Sequence, residues 1–294
     1  MTRPAHRRVW RVAAAPWDDD LVATGSWERT VDVWSLSRGG HVTGLDTVLD
    51  AGGTRLALVS EPEPVVVAGA WTRHGVCGYA LDGFRIWQNR TRRNVQQLTA
   101  LSGGRVAVGY ASQPTLVLDA GTGQELASLR GVTTVVALDR RSTLLAGTGW
   151  LQMADADLTP VWRRVPLAGF AVLTAAVAPE TVAVVEAEEG GSVLRVLDRD
   201  GVPRASVTWP GEGIRGVGRD AASGTWVVVR SDLDSHRSVL VRVTDDGAVV
   251  DRRPWRPVSG TALVRDGRAL VQADDDGVHV LDLADLGLRT LASD

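Results

Sequence analysis

The sequence contains one cysteine, no lysine and no long apolar run. With Cys77 alone among 294 residues, no disulfide bond can form within the chain. No apolar stretch approaches the ~18 residues that a membrane-spanning helix needs. The basic N-terminus is followed by Arg11 and by Asp18-Asp19-Asp20 rather than by the apolar segment of a secretory signal. We therefore expect a cytoplasmic protein without a membrane partner.

The chain also lacks the surplus of positive charge that is typical of nucleic-acid-binding proteins. Its 35 acidic residues outnumber its 32 basic residues, all of them arginine, and the formal net charge is −3. Binding to a phosphate backbone depends on a basic surface, so no nucleic-acid partner is expected. Hydrophobic residues make up 44% of the chain and charged residues 23%, which is typical of a folded protein with a large core.

The usual catalytic and metal-binding motifs are missing as well. The five histidines form no HExxH or HxH arrangement, and no GxSxG, Walker or Rossmann motif occurs. Asp274-Asp275-Asp276-Gly277 lacks the remainder of a calcium-binding loop, so we expect a solvated turn there. Cys77 lies among small and aromatic residues, which predicts a buried structural thiol. The sequence thus indicates no metal and no cofactor.

What the sequence does contain is a short apolar run that recurs seven times. The copies begin about 40 residues apart, a period that is typical of β-propellers. They read Val22-Ala23-Thr24-Gly25, Val66-Val67-Ala68-Gly69, Val106-Ala107-Val108-Gly109, Leu144-Leu145-Ala146-Gly147, Val182-Ala183-Val184-Val185, Trp226-Val227-Val228-Val229 and Ala269-Leu270-Val271-Gln272.

Each repeat holds three further β-prone stretches, separated by turns that are rich in glycine and aspartate. Four such stretches predict one antiparallel four-stranded blade. A large β-sandwich is the alternative, but that fold does not call for seven near-equal units. We therefore predict an all-β protein, a seven-bladed β-propeller that forms a single domain over residues 1–294. The blades are expected at roughly 7–48, 49–94, 95–131, 132–166, 167–211, 212–256 and 257–294.

The order of the stretches also predicts how the ring closes. The first unit starts on an innermost strand near Val9, and the last ends on an outermost strand near Leu288. Blade seven should then pack against blade one without a strand shared between the termini, unless residues 2–8 supply a further outer strand.

Single repeats resemble two known propeller families. The segment from Gly25-Ser26 to Val33-Trp34 resembles the end of a WD40 repeat, with Glu28 in place of the usual aspartate and Ser35 in place of the closing one. No Gly-His dipeptide opens a unit, so the buried His–Ser–Asp–Trp network of that family should be absent. Units two and three, with Leu81-Asp82-Gly83 and Asp119-Ala120-Gly121-Thr122-Gly123, resemble quinoprotein-type (PQQ-like) repeats. The resemblance implies the architecture; the cofactor is not carried over, because cofactor-bearing quinoproteins are much longer.

We expect a function on one rim of such a ring, where the loops within blades meet the loops between blades. Large aromatic residues follow the repeated run in four successive blades, and arginines flank them; these residue types are enriched at binding hot spots. The candidate binding residues within the blades are Trp27, Arg29, Trp71, Arg73, Tyr110 and Trp150, and those expected between the blades are Arg92, Arg93, Arg163 and Arg164. The same aromatic residues could instead be wedges that pack between blades.

Two functions remain open at this point, besides that of a structural subunit in a larger assembly. The first is a non-catalytic scaffold that binds another protein or a peptide on the rim. The second is a small-ligand-binding protein, or a lyase- or hydrolase-type enzyme, with its site at the mouth of the central channel. Its machinery would be the acidic cluster of Glu188, Glu189, Asp232 and Asp234 together with His236. The sequence does not specify the oligomeric state.

Overall fold

The computed structural model confirms a seven-bladed propeller of four-stranded antiparallel blades. It describes residues 9–26, 29–47, 55–70, 74–232, 237–274 and 277–291. In these residues the chain forms seven four-stranded sheets and no helix. Within each sheet the strands follow one another in chain order, and the first strand of every blade contacts the first strands of its neighbours around the axis.

The strands of the first four blades are short and evenly spaced. Blade one contains β1 (Val9–Ala13), β2 (Leu21–Ser26), β3 (Thr30–Ser35) and β4 (Gly40–Asp46). Blade two contains β5 (Arg55–Val59), β6 (Val65–Gly69), β7 (Val76–Ala80) and β8 (Arg85–Asn89). Blade three contains β9 (Val95–Leu101), β10 (Arg105–Tyr110), β11 (Thr115–Asp119) and β12 (Glu125–Leu129). Blade four contains β13 (Thr134–Ala137), β14 (Ser142–Gly147), β15 (Trp150–Asp155) and β16 (Val165–Pro166).

Blades five and six have longer strands than the others. Blade five contains β17 (Ala171–Val177), β18 (Thr181–Glu188), β19 (Gly191–Asp198) and β20 (Pro203–Pro210). Blade six contains β21 (Glu212–Asp220), β22 (Thr225–Asp232), β23 (Ser238–Val243) and β24 (Val249–Trp255). Blade seven contains β25 (Gly260–Val264), β26 (Ala269–Asp274), β27 (Gly277–Asp282) and β28 (Leu288–Thr290).

The repeated apolar run forms the second strand of every blade and is buried throughout. Val22, Val66, Val106 and Val182 are inaccessible to solvent. Both faces of such a strand are covered, because one neighbouring blade packs on each side, and continuous apolar runs are typical of strands that are buried on both faces. This burial explains why the second strand carries the strongest signal in the sequence.

Aspartates close the turns between the third and fourth strands, as the turn composition predicts. The carboxylate of Asp82 accepts a hydrogen bond from the backbone N–H of Phe84 at 2.9 Å, and Asp119 accepts one from Thr122 at 2.8 Å. Asp155, Asp198 and Asp282 make the equivalent bond in blades four, five and seven. These Asx turns reverse the chain at the outer, lower corner of the blades.

The ring closes by packing of blade seven against blade one. Trp34 and Val22 of blade one are buried together with Val264 and Val280 of blade seven. The backbone N–H of Arg265 donates to the carbonyl of Asp18 at 2.8 Å, so the two blades are also joined through the main chain.

Two buried side-chain clusters bear on the expectations from the sequence. In blade one, the indole Nε1 of Trp34 donates to the Thr24 hydroxyl at 2.9 Å, and both residues are buried. The expectation of a solvated turn at Asp274 is wrong: this residue is only 6% exposed, forms an ion pair with Arg256 and contacts the Nε2 of His279 at 3.0 Å. Asp275 and Asp276 lie outside the described residues.

Candidate functional site

One end of the ring gathers two kinds of connection. Because the strands of a blade alternate in direction, the loops between second and third strands emerge at the same end as the connections between blades. We call this end the top rim. The turns between third and fourth strands, such as the one that carries Phe84, lie at the opposite end.

The candidate residues of blades one and two are only partly described. Trp27, Trp71 and Arg73 lie outside the described residues. Arg29 is exposed and has a φ of 70°, and its carbonyl accepts hydrogen bonds from the backbone N–H and the hydroxyl of Thr47, at 3.0 and 2.7 Å. Thr47 begins the connection to blade two, so these hydrogen bonds join the loop between β2 and β3 to the connection between blades one and two.

In blade three, the structure brings Arg92 and Tyr110 together but buries the ring. Tyr110 is only 4% exposed and belongs to the core between blades. Burial raises the pKa of its hydroxyl to about 12, a shift that Arg92 partly opposes. The guanidinium of Arg92 lies 5.7 Å from the ring centroid and donates to the carbonyl of Pro114 at 2.7 Å. Arg93 is exposed. Tyr110 therefore packs between blades as a wedge, with the guanidinium of Arg92 over its ring.

In blade four, Trp150 and Arg164 form a more accessible pair. The guanidinium of Arg164 lies 4.2 Å from the centroid of the Trp150 ring, which is half-buried against the core. Arg163 and Arg164 are both exposed. Contrary to expectation, they do not lie in a between-blade loop; they lead into the outermost strand of blade four, β16, whose Pro166 pairs with Trp150. The strand β16 is only two residues long, and Arg164, directly before it, lies beside the Trp150 ring.

The top rim also exposes a phenylalanine that the sequence pattern did not indicate. Phe170 lies in the connection from blade four to blade five and is 68% exposed. The N–H of Leu167 in this connection donates to the carbonyl of Gly149, which precedes Trp150, at 3.2 Å. The sequence did not indicate Phe170 because an apolar residue directly before a strand is ordinarily interpreted as part of the core. We call Trp150, Arg164 and Phe170 the rim patch.

A buried ion pair holds the connection that carries Phe170. Glu186 is inaccessible to solvent, and its Oε1 lies 2.9 Å from the Nη1 of Arg195. Its Oε2 accepts hydrogen bonds from the N–H groups of Ala168 and Gly169, at 2.6 and 2.7 Å. A Cβ on Gly169 would lie 2.1 Å from the carbonyl oxygen of Ala187, so only glycine fits this close approach.

Several charged side chains of blades five to seven form ion pairs within the protein. Besides Glu186, Glu212 forms an ion pair with Arg230, whose guanidinium also lies 4.6 Å from the Trp209 ring centroid. Of the candidate acidic cluster, Glu188 is half-buried and Glu189 is exposed, whereas Asp234, His236 and the side chain of Asp232 lie outside the described part of the chain.

The described residues hold neither a cluster of metal-binding side chains nor a membrane-spanning helix. No group of three or more histidine, cysteine, aspartate or glutamate side chains comes together there in a way that could hold a metal ion. Over the same residues, no helix is long and apolar enough to cross a membrane.

Comparisons with known proteins agree with this fold. No family model and no curated protein matches the chain. The crystal structure of BamB from Moraxella catarrhalis superposes with a TM-score of 0.62 at 14% sequence identity, covering 91% of this chain and 83% of that chain. The C-terminal WD40 domain of Sif2 superposes with a TM-score of 0.61 at 14% identity, covering 94% of this chain and 82% of that chain. At this identity the likeness is one of fold alone, and at that level it confirms the resemblance to known β-propellers.

Proposed function

We propose that this propeller is a non-catalytic scaffold that binds another protein or a peptide through the rim patch. The observation that carries the proposal is the 68% exposure of Phe170, in a connection whose Leu167 N–H donates to Gly149, the residue before the stacked Trp150. Exposed aromatic rings next to arginine are the residue types that dominate the binding energy of protein interfaces.

The rigidity of the patch supports this function. The connection that carries Phe170 is held by the buried carboxylate of Glu186, and Trp150 is fixed by its strand and by the core beneath it. An aromatic side chain on a fixed backbone loses little conformational entropy when a partner covers it.

The chemistry of the patch also indicates what a partner offers. Phe170 and Trp150 present apolar surface, and Arg163 and Arg164 add exposed positive charge without a carboxylate in an ion pair with either in the described chain. A segment with an apolar side chain next to an acidic one would match both features, because guanidinium groups bind carboxylates with a forked geometry.

The experiment selects peptides from a displayed random library on the immobilised full chain and then measures their affinity for two variants. Phe170→Ala removes the exposed ring of the rim patch. Phe84→Ala removes a ring of almost equal exposure, 69%, at the opposite end of the propeller, and is the matched control. We expect the first substitution to weaken binding of the selected acidic-apolar peptides by about 2 kcal/mol, or roughly 30-fold, and the second to leave it unchanged.

Either of two results would overturn the proposal. One is that the selected peptides bind Phe170→Ala as tightly as the unmodified protein. The other is that both substitutions weaken binding equally, which would indicate adsorption to any exposed aromatic ring rather than recognition by the rim patch.

A further inference from the structure

The top of blade six carries a groove that shares no residue with the rim patch. It lies where β23 begins and β24 ends. Its cavity measures about 650 Å³, and sites for small organic ligands ordinarily measure roughly 300–1,000 Å³. The lining includes Arg237, Val239, Arg252, Arg253, Pro254 and Trp255. The groove thus has the size of a small-molecule site and a lining that is both apolar and basic.

The apolar part of the groove is built around the ring of Trp255. Its indole Nε1 donates to the Oε1 of Gln272 in blade seven at 3.0 Å, and the ring packs against the core between blades six and seven. Pro254, the preceding residue, pairs with Val239 and is exposed. A second cavity of about 330 Å³ shares Pro254 and Trp255 with the first and adds Leu288 of blade seven, which is 40% exposed. The apolar surface therefore extends from blade six to blade seven.

Arg253 lines this groove, and part of its guanidinium has no hydrogen-bond partner. Its Nε and Nη2 are buried, and neither donates to an acceptor in the described residues. The guanidinium lies 5.6 Å from the centroid of the Trp255 ring, so it adjoins the apolar part of the groove. Arg256, three residues further along the chain, is paired with Asp274. Because a buried donor without an acceptor costs free energy, the Arg253 guanidinium points to a ligand that supplies one.

The charge of the groove indicates that this acceptor is an anion. Arg252 also lines the groove and is exposed. Neither Arg252 nor Arg253 forms an ion pair in the part of the chain that the structure describes, not even with Asp251 on the same strand. Among the described residues, no aspartate or glutamate lines the groove. Positive charge beside an apolar, low-dielectric surface raises the local concentration of anions.

The composition of the groove favours an organic anion over an inorganic one. An inorganic ion would satisfy Arg253 but would leave Trp255, Pro254 and Leu288 uncovered. An apolar body attached to the anionic group would cover these residues, and burial of apolar surface is favourable. The groove also needs little reorganisation to receive such a ligand, because β23 and β24 form a regular ladder in which Ser238 pairs with Trp255.

We propose that this groove is a binding site for a small amphipathic organic anion. The carboxylate or phosphate of the ligand accepts hydrogen bonds from the Nε and Nη2 of Arg253, since guanidinium groups bind such oxygens through paired N–H donors. The apolar body of the ligand lies against Trp255 and Pro254, and Arg252 adds positive charge. This site goes beyond the proposed scaffold function and does not depend on the rim patch.

The experiment titrates the full chain with four probes and follows binding by ligand-observed NMR. Naphthylacetate and naphthyl phosphate combine apolar rings with an oxyanion. Naphthylethylamine carries the same rings with a positive charge, and acetate carries the negative charge without the rings. We expect at least one of the two naphthyl anions to bind, with a Kd at least 10-fold lower than the Kd values of naphthylethylamine and acetate. The naphthyl anion that binds more tightly identifies the oxyanion group of the natural ligand.

Variants then locate the bound anion. Arg253→Gln should raise the Kd of the tighter naphthyl anion at least 10-fold. Arg204→Gln is the matched control, because Arg204 is an exposed arginine on β20, the outermost strand of blade five, and it should leave the Kd unchanged. Phe170→Ala should also leave it unchanged, which separates this site from the rim patch.

Three results would overturn the proposal. The first is that neither naphthyl anion binds the unmodified protein, or that naphthylethylamine or acetate binds as tightly. The second is that Arg253→Gln binds the naphthyl anion as tightly as the unmodified protein does. The third is that Arg204→Gln or Phe170→Ala weakens binding as much as Arg253→Gln. The comparison of the four probes uses the unmodified protein, so it does not depend on any variant being folded.

Discussion

Glu186 and Arg195 form an ion pair inside blade five, and the same carboxylate fixes the main chain just before Phe170. The Oε1 of Glu186 lies 2.9 Å from the Nη1 of Arg195, and neither side chain is more than 8% exposed. Arg195 also donates to the carbonyl of Pro166 at 2.7 Å, so both partners hold the connection between blades four and five. One buried pair thus fixes the main chain that leads to Phe170.

We expect Glu186→Gln to lower the free energy of unfolding by about 3 kcal/mol, because it leaves the buried charge of Arg195 without its partner. Chemical denaturation measures this loss. Arg140→Gln is the control, since Arg140 and Glu61 form an exposed pair at 2.8 Å, and its loss should cost less than about 1 kcal/mol. Equal effects of the two substitutions would contradict the structural role of the buried pair.

Tyr110 should behave as a packing wedge rather than as a binding anchor. Its hydroxyl is buried and has no hydrogen-bond partner in the described structure. Tyr110→Phe should therefore raise the free energy of unfolding by about 1 kcal/mol, because an unsatisfied polar group is removed from the core. Tyr110→Ala should lower it by about 3 kcal/mol or more, because it leaves a cavity. If Tyr110→Ala keeps its Tm and loses peptide binding, the ring belongs to the interface after all.

The raised pKa of Tyr110 gives a pH dependence with a definite sign. The hydroxyl titrates near 10 in the unfolded chain and at about 12 in the folded protein. The unfolded state therefore loses this proton first, and stability is complete below pH 10 and falls as the pH rises from 10 to 12. Relative to Tyr110→Phe, the unmodified protein should lose about 3 kcal/mol over this interval. Denaturation of both proteins at several alkaline pH values measures the difference, and a constant difference would contradict the assignment.

Cys77 should be inert toward thiol reagents in the folded protein. It lies in β7, the third strand of blade two, and is inaccessible to solvent, as expected from the sequence. Burial also raises the pKa of its thiol, so the reactive thiolate is scarce at neutral pH. A chromogenic disulfide reagent should label it fully in denaturant and only slowly in native buffer. Complete labelling within minutes in native buffer would show that blade two opens readily.

Much of the fold could be predicted from local sequence because each blade repeats the same pattern of strands and turns. A strand buried on both faces needs an unbroken apolar run, and a hairpin at the outer corner needs aspartate and glycine. Val66, in a buried strand, and Asp82, in a turn, therefore specify their local structure together with their immediate sequence neighbours. Seven repetitions of that neighbourhood determine the number of blades.

The accessibility of the rim residues could not be predicted in this way. Tyr110 and Trp150 follow the repeated run at nearly the same position, yet Tyr110 is buried and Trp150 is half-exposed. Whether such a ring is covered depends on the loop opposite it and on the adjoining blade, which lie elsewhere in the sequence. The position of Phe170 likewise depends on a residue farther along the chain, since Glu186 accepts hydrogen bonds from the N–H groups of Ala168 and Gly169 just before it.

The sequence by itself determined the repeat, the strands, the turns and hence the propeller, because short-range patterning of apolar and turn residues specifies each blade. Only the tertiary structure decided which distant charges meet. Folding of blade seven buries Asp274 against His279 and Arg256. Electrostatic interaction depends on distance in space and on the surrounding dielectric, and neither is set by separation along the chain.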